Sequence, residues 1–469
     1  MNPPSSLVTP RVVVGPPAQI RHKNLRAVTI QGGPAPGVST SRNNPDTRRM
    51  GRRPAVLRSR RPCPEWDLRT WFGAFAIAII PLLTMLGCAA PERLAAVPED
   101  RTTEAQIAGM PNVRYWVDEE TQPFIDELTQ SLRREQEYRA SIGQTGALPP
   151  AYFLAISGGG DNGAFGAGLL NGWSAAGNRP AFKGVTGVST GALIAPMAFL
   201  GPAYDHILRE VYTETSKKDI FEDRFITAAL LDDAMADTSP LFRTVSRYVD
   251  QDLLGKIAAE YHKGRLLFVA TTDLDARHPV IWNMTAIAAV GTPQALQLFR
   301  KVLVASAAIP GAFPPVMIDV DVDGQHYQEM HVDGGAMSQV FLYPPSINIA
   351  EHTRANKIAR KRVLYLIRNA RLDPDWDSVE RQTLGIAGKA ISSLIHTQGL
   401  GDLYRIYLTA KRDGFDYNLA YIPGTFKVAH KEQFDPNYMR PLFNTGYEMA
   451  KKGYPWEKTP PGYATSGSP

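Results

Sequence analysis

Gly187-Val188-Ser189-Thr190-Gly191 fits the pattern G-x-S-x-G. A serine hydroxyl in such a turn becomes a nucleophile when a neighbouring base takes its proton and nearby donors stabilise the oxyanion that forms on attack. Val185 and Thr186 before it can end a strand. Ala192, Leu193, Ile194 and Ala195, then Met197 to Leu200, form an apolar helical run. Strand, sharp turn and buried helix is the context in which this motif carries chemistry. Gly187 and Gly191 suit a turn too tight for a Cβ, and a helix starting just after Ser189 favours negative charge there. Alone, the motif also reads as a Gly/Ser turn that merely starts a helix.

Two further stretches bear on that choice. Ala151 to Ile156 is a short apolar strand that runs into Ser157-Gly158-Gly159-Gly160-Asp161-Asn162-Gly163, after which Leu169, Leu170 and Trp173 take helical spacing. Strand, glycine loop and helix is a backbone anion site, because the loop's N–H groups converge where no side chain blocks approach. Gly158-x-Gly160-x-x-Gly163 also fits the dinucleotide fingerprint. However, the acidic residue expected about 20 positions on is missing, and the next strand delivers Ser189 instead. The loop therefore reads as an oxyanion hole, with Gly158, Gly159, Gly160, Asp161 and Gly163 as its candidate residues, followed by its nucleophile. Asp333-Gly334-Gly335 ends a further strand at a turn, where a carboxylate can face a cleft.

In this order the three motifs resemble those of the patatin-like phospholipases: a G-x-G-x-x-G loop, a G-x-S-x-G elbow and a D-G-[GA] turn. Ala305 to Val316 resembles the segment before the family's aspartate. The resemblance covers roughly residues 150–345, with a looser similarity near Phe434–Gly446. It implies a three-layer α/β/α domain with a central, mostly parallel sheet. Ser189 matches the nucleophile and Asp333 the base of a Ser-Asp dyad, the glycines around Gly159 and Gly160 match the oxyanion loop, and Gly187, Gly191, Gly334 and Gly335 complete the motifs. The substrate implied is a phospholipid or other acyl lipid, cleaved through an acyl-enzyme without metal or organic cofactor. A carboxylate titrating near 4 is a weak base at neutral pH, so the reaction would need desolvation of Asp333 and strong oxyanion stabilisation. Three alternatives stay open. His352, His396 and His430 follow Asp333, and a Ser–Asp–His order is that of α/β-hydrolases. The acyl group can pass to an acceptor other than water. An envelope scaffold could keep the motifs without turnover. His331, two residues before Asp333 on a strand, points to the same side and either lines the cleft or is a structural or surface histidine.

The elements that must position these residues can be read around them. Thr121–Ala140 has helical spacing (Phe124, Leu128, Leu132). Residues 204–262 read as mostly helical, Arg265–Thr272 and Pro279–Met284 as strands, and Ala295–Ala308 as a helix beside the site. Beyond it, Lys361–Ile367 reads as a strand, Arg381–Tyr407 as a helix and Tyr417–Ile422 as an edge strand before Pro423.

The 469 residues carry a net +5, but residues 1–87 hold 13 Lys/Arg against 3 Asp/Glu, and the remainder holds 38 against 43. The basicity belongs to the leader, so it is no argument for nucleic-acid binding. Two cysteines, Cys63 and Cys88, make no disulfide framework. Arg52 to Arg69, then the apolar run Trp71 to Leu86, read as a signal peptide, with Met50 as an alternative start. Leu83-Thr84-Met85-Leu86-Gly87-Cys88 resembles a bacterial lipobox, which implies a diacylated Cys88 anchoring the protein to a membrane of the cell envelope. The expected organisation is a leader (1–87), a tether and helix (88–149), a catalytic domain (150–345) and a C-terminal α/β extension (346–469).

Overall fold

The computed structural model describes residues 93–463 except 117–118, 224–233, 235, 374–377 and 380, and excepting the side chains of 223 and 383–384. The leader and Cys88 lie outside the described residues. Among these residues no helix is long and apolar enough to cross a membrane.

Nine strands form one mixed sheet: β1 (Arg114–Tyr115), β2 (Ala151–Ile156), β3 (Gly184–Val188), β4 (Leu266–Asp273), β5 (His278–Asn283), β6 (Val316–Val322), β7 (Gln325–Asp333), β8 (Arg362–Arg368) and β9 (Phe415–Tyr421). Their spatial order is β1-β5-β4-β3-β2-β8-β9, with β7 also on β4 and β6 on β7. The centre, β4-β3-β2-β8-β9, is parallel, and the remaining pairings are antiparallel. The expected α/β class with a mostly parallel sheet is what forms. β4 is buried at all eight residues, as a strand covered on both faces must be.

Alternation along each strand sends successive residues to opposite layers. Leu154, Ile156 and Val185 join one core with α2 (Gly163–Ala175) and α3 (Thr190–Leu200). On the other face, α1 (Gln122–Ser141) brings Phe124 to Phe268, and α5 (Thr383–Arg412) brings Leu403 and Tyr407 to Ala155, Leu364 and Leu366. The last helix, α6 (Pro436–Lys451), lies backbone-close on α2: a Cβ on Gly168 would sit 2.0 Å from the Phe443 carbonyl oxygen.

One edge of β4 serves two partners in succession. β3 pairs along it up to Val188 opposite Ala270, and β7 takes the next position, with Asp333 opposite Thr271. The other edge is occupied throughout by β5. The strand that ends at Ser189 and the strand that ends at Asp333 are thereby brought end to end.

The stretch up to Asn112, expected as a tether, is packed from Arg93 on. Val97, Ala105, Ile107, Met110 and Val113 are buried in the main core, and Arg93 pairs with Asp275 at 2.6 Å. The apolar residues between the prolines and charges of this stretch are enough to bury.

Behind β7 lies a closed ionic cluster. The Arg114 guanidinium binds both oxygens of Glu329, whose Oε2 is also 3.0 Å from His331 Nε2. His331 Nδ1 is 2.9 Å from Thr271 Oγ1. Burial pushes Glu329 up, but Arg114 and His331 outweigh it and bring the carboxyl from 4.5 down to about 2. Removing one partner of a buried pair leaves an uncompensated charge, so Arg114→Met is expected to cost about 3 kcal/mol in urea unfolding at pH 7. Because Glu329 is depressed in the fold, its contribution is present above pH 4.5 and lost as pH falls toward 2. The difference between wild type and Arg114→Met should accordingly shrink over that window.

Candidate active site

Ser189 sits between β3 and α3 with φ 55 and ψ −126, a conformation that costs a non-glycine residue on the order of 1–3 kcal/mol. What holds it there is the absence of Cβ atoms around it. A Cβ on Gly187 would lie 2.4 Å from the Gly191 carbonyl oxygen, and one on Gly191 would lie 2.3 Å from that of Ile156. The Ser189 N–H donates to Ser306 Oγ at 3.0 Å, and Ser306 donates to the Ala270 carbonyl at 2.7 Å. Ser306, at the end of α4 (Pro293–Ser306), thus ties the turn to β4.

Asp333 is buried, 5% exposed, and the nearby Ser189 side chain favours its charged form. Its Oδ1 also accepts from the Gly335 N–H at 2.7 Å, its N–H donates to the Ala308 carbonyl at 2.8 Å, and its carbonyl accepts from Thr272 Oγ1 at 3.1 Å. Burial raises its pKa from 3.8 to about 6, against the opposing pull of Ser189 and of the Gly335 N–H. Gly334 passes so close to β4 that a Cβ would meet the Ala270 carbonyl oxygen at 2.5 Å.

The five residues named for the glycine loop divide. The Gly158 N–H is spent on the Gln339 carbonyl at 3.0 Å, and a Cβ here would sit 3.1 Å from that of Ser189, so this glycine serves approach rather than donation. Gly159 (φ 155) and Gly160 (φ 57) take conformations that L side chains rarely adopt. Asp161 turns its carboxylate away, accepting from His430 Nε2 at 2.6 Å and from the Phe434 N–H at 2.8 Å. Gly163 packs against Thr190 and Tyr212. Asn369, at the end of β8, holds the start of the loop: its N–H donates to Ser157 Oγ at 2.8 Å and its Nδ2 to the Ser157 carbonyl at 2.9 Å. Asp402 of α5 fixes the neighbouring segment by accepting from the Gln339 N–H at 2.7 Å.

Two of the downstream histidines have side-chain partners away from Asp333. His430 belongs to Asp161, whose hydrogen bond raises its pKa above 6.5. His352 Nε2 lies 3.3 Å from Thr129 on the other face of the sheet, and the His396 carbonyl accepts from Arg368 at 3.4 Å. None of the three contributes to the shift of Asp333. His331 is fully buried in the ionic cluster rather than in a cleft. Asp273, Glu329 and His331 come within 4.8 Å of one another as a metal set would, but Arg114 already occupies both Glu329 oxygens. From the sequence, His430 stands out only as a possible triad histidine and Ser306 only within the Ala305–Val316 stretch, while Asn369 and Asp402 are not singled out.

A carboxyl raised in the fold costs stability as it ionises. Unfolded chains release this proton near pH 3.8 and the folded chain near 6, so stability from Asp333 falls across that window by about 3 kcal/mol. Asp333→Asn removes the ionisation, and the variant is expected to melt higher than wild type at pH 8, with a smaller gain at pH 4.5.

Residues 154–344 match the family model described as patatin-like phospholipase, within a few residues of the span expected from the motifs. Among solved structures the chain is similar to the crystal structure of VipD from Legionella pneumophila. The identity is 10% and the TM-score 0.32, over 64% of this chain and 66% of that one, just under two thirds of its length. No curated protein matches. The glycine loop from Ser157 to Gly163, the Ser189 turn and the Asp333 turn all fall inside the matched stretch, and over residues 154–344 this chain is similar to the patatin-like phospholipases.

Proposed function

We propose that the protein is a lipid acyl hydrolase that cleaves carboxylic esters of phospholipids or related acyl lipids through Ser189 and Asp333. The observation that carries the reading is the pairing of the two: a strained, tightly held serine lies close enough to a buried carboxyl to oppose the rise of its pKa, which burial pushes up to about 6. Such a carboxyl is ionised at neutral pH yet about two units more basic than an exposed aspartate. The match of residues 154–344 supports the substrate class.

In the proposed reaction Asp333 takes the proton of Ser189 as Oγ attacks the ester carbonyl. The oxyanion of the tetrahedral intermediate is met by the N–H groups of Gly159 and Gly160, since that of Gly158 is already taken. The C–O bond to the alcohol breaks, and Asp333 returns the proton to the departing oxygen. Water then attacks the acyl-Ser189 ester, gives a proton to Asp333, and the fatty acid leaves with Ser189 reprotonated. Without a histidine between them, one carboxylate must serve as base and acid in turn. We further read Cys88 as the lipidated residue that holds the enzyme at an envelope membrane, on the strength of the lipobox-like run before it.

Fatty-acid release from mixed phospholipid vesicles tests the reading. Ser189→Ala and Asp333→Asn should each lose about a thousandfold or more, while His352→Ala and His396→Ala stay within about twofold of wild type. His430→Ala should keep release within about tenfold, because it loosens Asp161 without touching the reacting atoms. Loss of release in His352→Ala or His396→Ala would replace the two-residue mechanism with a triad. Since the base must be ionised, kcat/KM should rise with pH and reach half its plateau near pH 6. A fluorophosphonate should label wild type and the three histidine variants at Ser189, and should not label Ser189→Ala. Failure of wild type both to release fatty acid and to take the label would overturn the assignment.

A further inference from the structure

A cavity of about 130 Å³ lies at the opposite end of the sheet from Ser189. Its rim is made by the first residues of all five parallel strands, Ala151, Gly184, Leu266, Arg362 and Phe415, whereas Ser189 follows the last residue of β3. At about 3.3 Å per residue the length of β3 puts roughly 15 Å between the two. The walls are apolar: Phe124, Leu128, Phe153, Phe268, Leu342 and Phe415. These side chains belong to the layer of α1 and α5, the face of the sheet turned away from α2 and α3. None of Ser157 to Gly163, Ser189 or Asp333 lines the cavity.

The polar residues around it are unbalanced in charge. Lys183, Arg360 and Arg362 line the cavity, and among the described residues no acidic side chain does. Glu135 serves two of these cations at once: it pairs with Arg360 through both oxygens, at 2.8 and 3.0 Å, and with Lys183 at 2.8 Å. Of the carboxylates flanking Phe415, Asp413 is held by Arg412 and Tyr343, and Asp416 pairs with Lys458 at 2.8 Å. Arg362 makes only a long contact, 3.5 Å, from Nη1 to the Asp413 carbonyl, and stacks over Phe415. Its Nη2 is buried and has no hydrogen-bond partner. A buried guanidinium N–H without an acceptor costs free energy that a bound acceptor would recover. The crowding of cations is felt by Lys183, which burial, with a contribution from Arg360 and Arg134, lowers to about 8.

A dry apolar cavity of about 150 Å³ accepts a molecule the size of benzene, so this one suits a short hydrocarbon chain. Apolar walls, a surplus of positive charge and an unsatisfied guanidinium N–H belong together in one ligand chemistry. We propose that this cavity binds an aliphatic carboxylate, its chain among Phe124, Leu128 and Phe268 and its carboxylate on Arg362. The site is separate from the reaction at Ser189 and does not depend on the function proposed for it.

Octanoate is the probe, titrated calorimetrically into the full chain. Wild type should show one saturable site, and Ser189→Ala should bind octanoate with unchanged affinity. Arg362→Met should bind at least about tenfold more weakly, the loss of a hydrogen-bonded charge. Leu128→Trp, which fills the cavity, should abolish binding. In wild type alone, 1-octanol should bind about tenfold more weakly than octanoate, a comparison that needs no variant to fold. Absence of saturable binding by wild type would overturn the proposal. So would octanol binding as tightly as octanoate, unchanged binding in a folded Arg362→Met, or loss of binding in Ser189→Ala, which would put the carboxylate at the serine.

Discussion

The site depends on one edge of one strand being shared. β4 gives its edge to β3 as far as Ala270 and to β7 from Thr271 onward. At the point of exchange both incoming strands must turn away, and the two turns are where Ser189 and Asp333 stand. The crowding that results explains the glycines. Gly187, Gly191 and Gly334 are each pressed against a carbonyl oxygen of a neighbouring segment at a distance no Cβ would tolerate. The strained backbone of Ser189 is then over-determined by its surroundings: Ser306 holds its N–H, α3 continues directly from it, and Gly158 abuts its side chain.

The same closeness sets the electrostatics. A carboxyl enclosed by two strand ends and a glycine turn loses its water, and with it much of its preference for being charged. Near Asp333 that loss is countered only by neutral donors, Ser189 and the Gly335 N–H. Four positions back along β7, Glu329 is buried to a similar depth but faces Arg114, and its pKa moves the other way. Two carboxyls on one strand are thus held at opposite ends of the carboxylate range by whether a guanidinium is present. The first suits a group that exchanges a proton near neutrality, and the second a permanent tie between the start of the described chain and the sheet.

The elements of this architecture were largely legible in the sequence. The strand before each motif, the helix after Ser189 and the helices at Gln122–Ser141 and Thr383–Arg412 all announce themselves by apolar spacing or glycine position. The partition of labour inside the glycine loop was not. Gly158, Gly159 and Gly160 are alike as letters, and only Gln339, more than 170 residues on, spends the first N–H. The roles of Ser306, Asn369, Asp402 and His430 escaped for the same reason: each depends on a partner that lies far away in sequence. Asn369 and His430 follow the stretch that resembles the family, yet both hold the loop inside it. The segment before Asn112 escaped because scattered apolar residues without a period bury as effectively as periodic ones when the surface they meet is already formed.

The position of β8 between β2 and β9 has a consequence for how the chain comes to its shape. β2 is flanked on one side by β3, a short step onward in sequence, and on the other by a strand that begins about 200 residues later. During synthesis at roughly 5–20 residues per second, that second edge stays open for tens of seconds, apolar and unpaired. Pairings of such long range also make for slow closure, since the loop must be ordered before the contact rewards it. The growing chain therefore presents an unpaired strand beside its glycine loop until Arg368 has emerged.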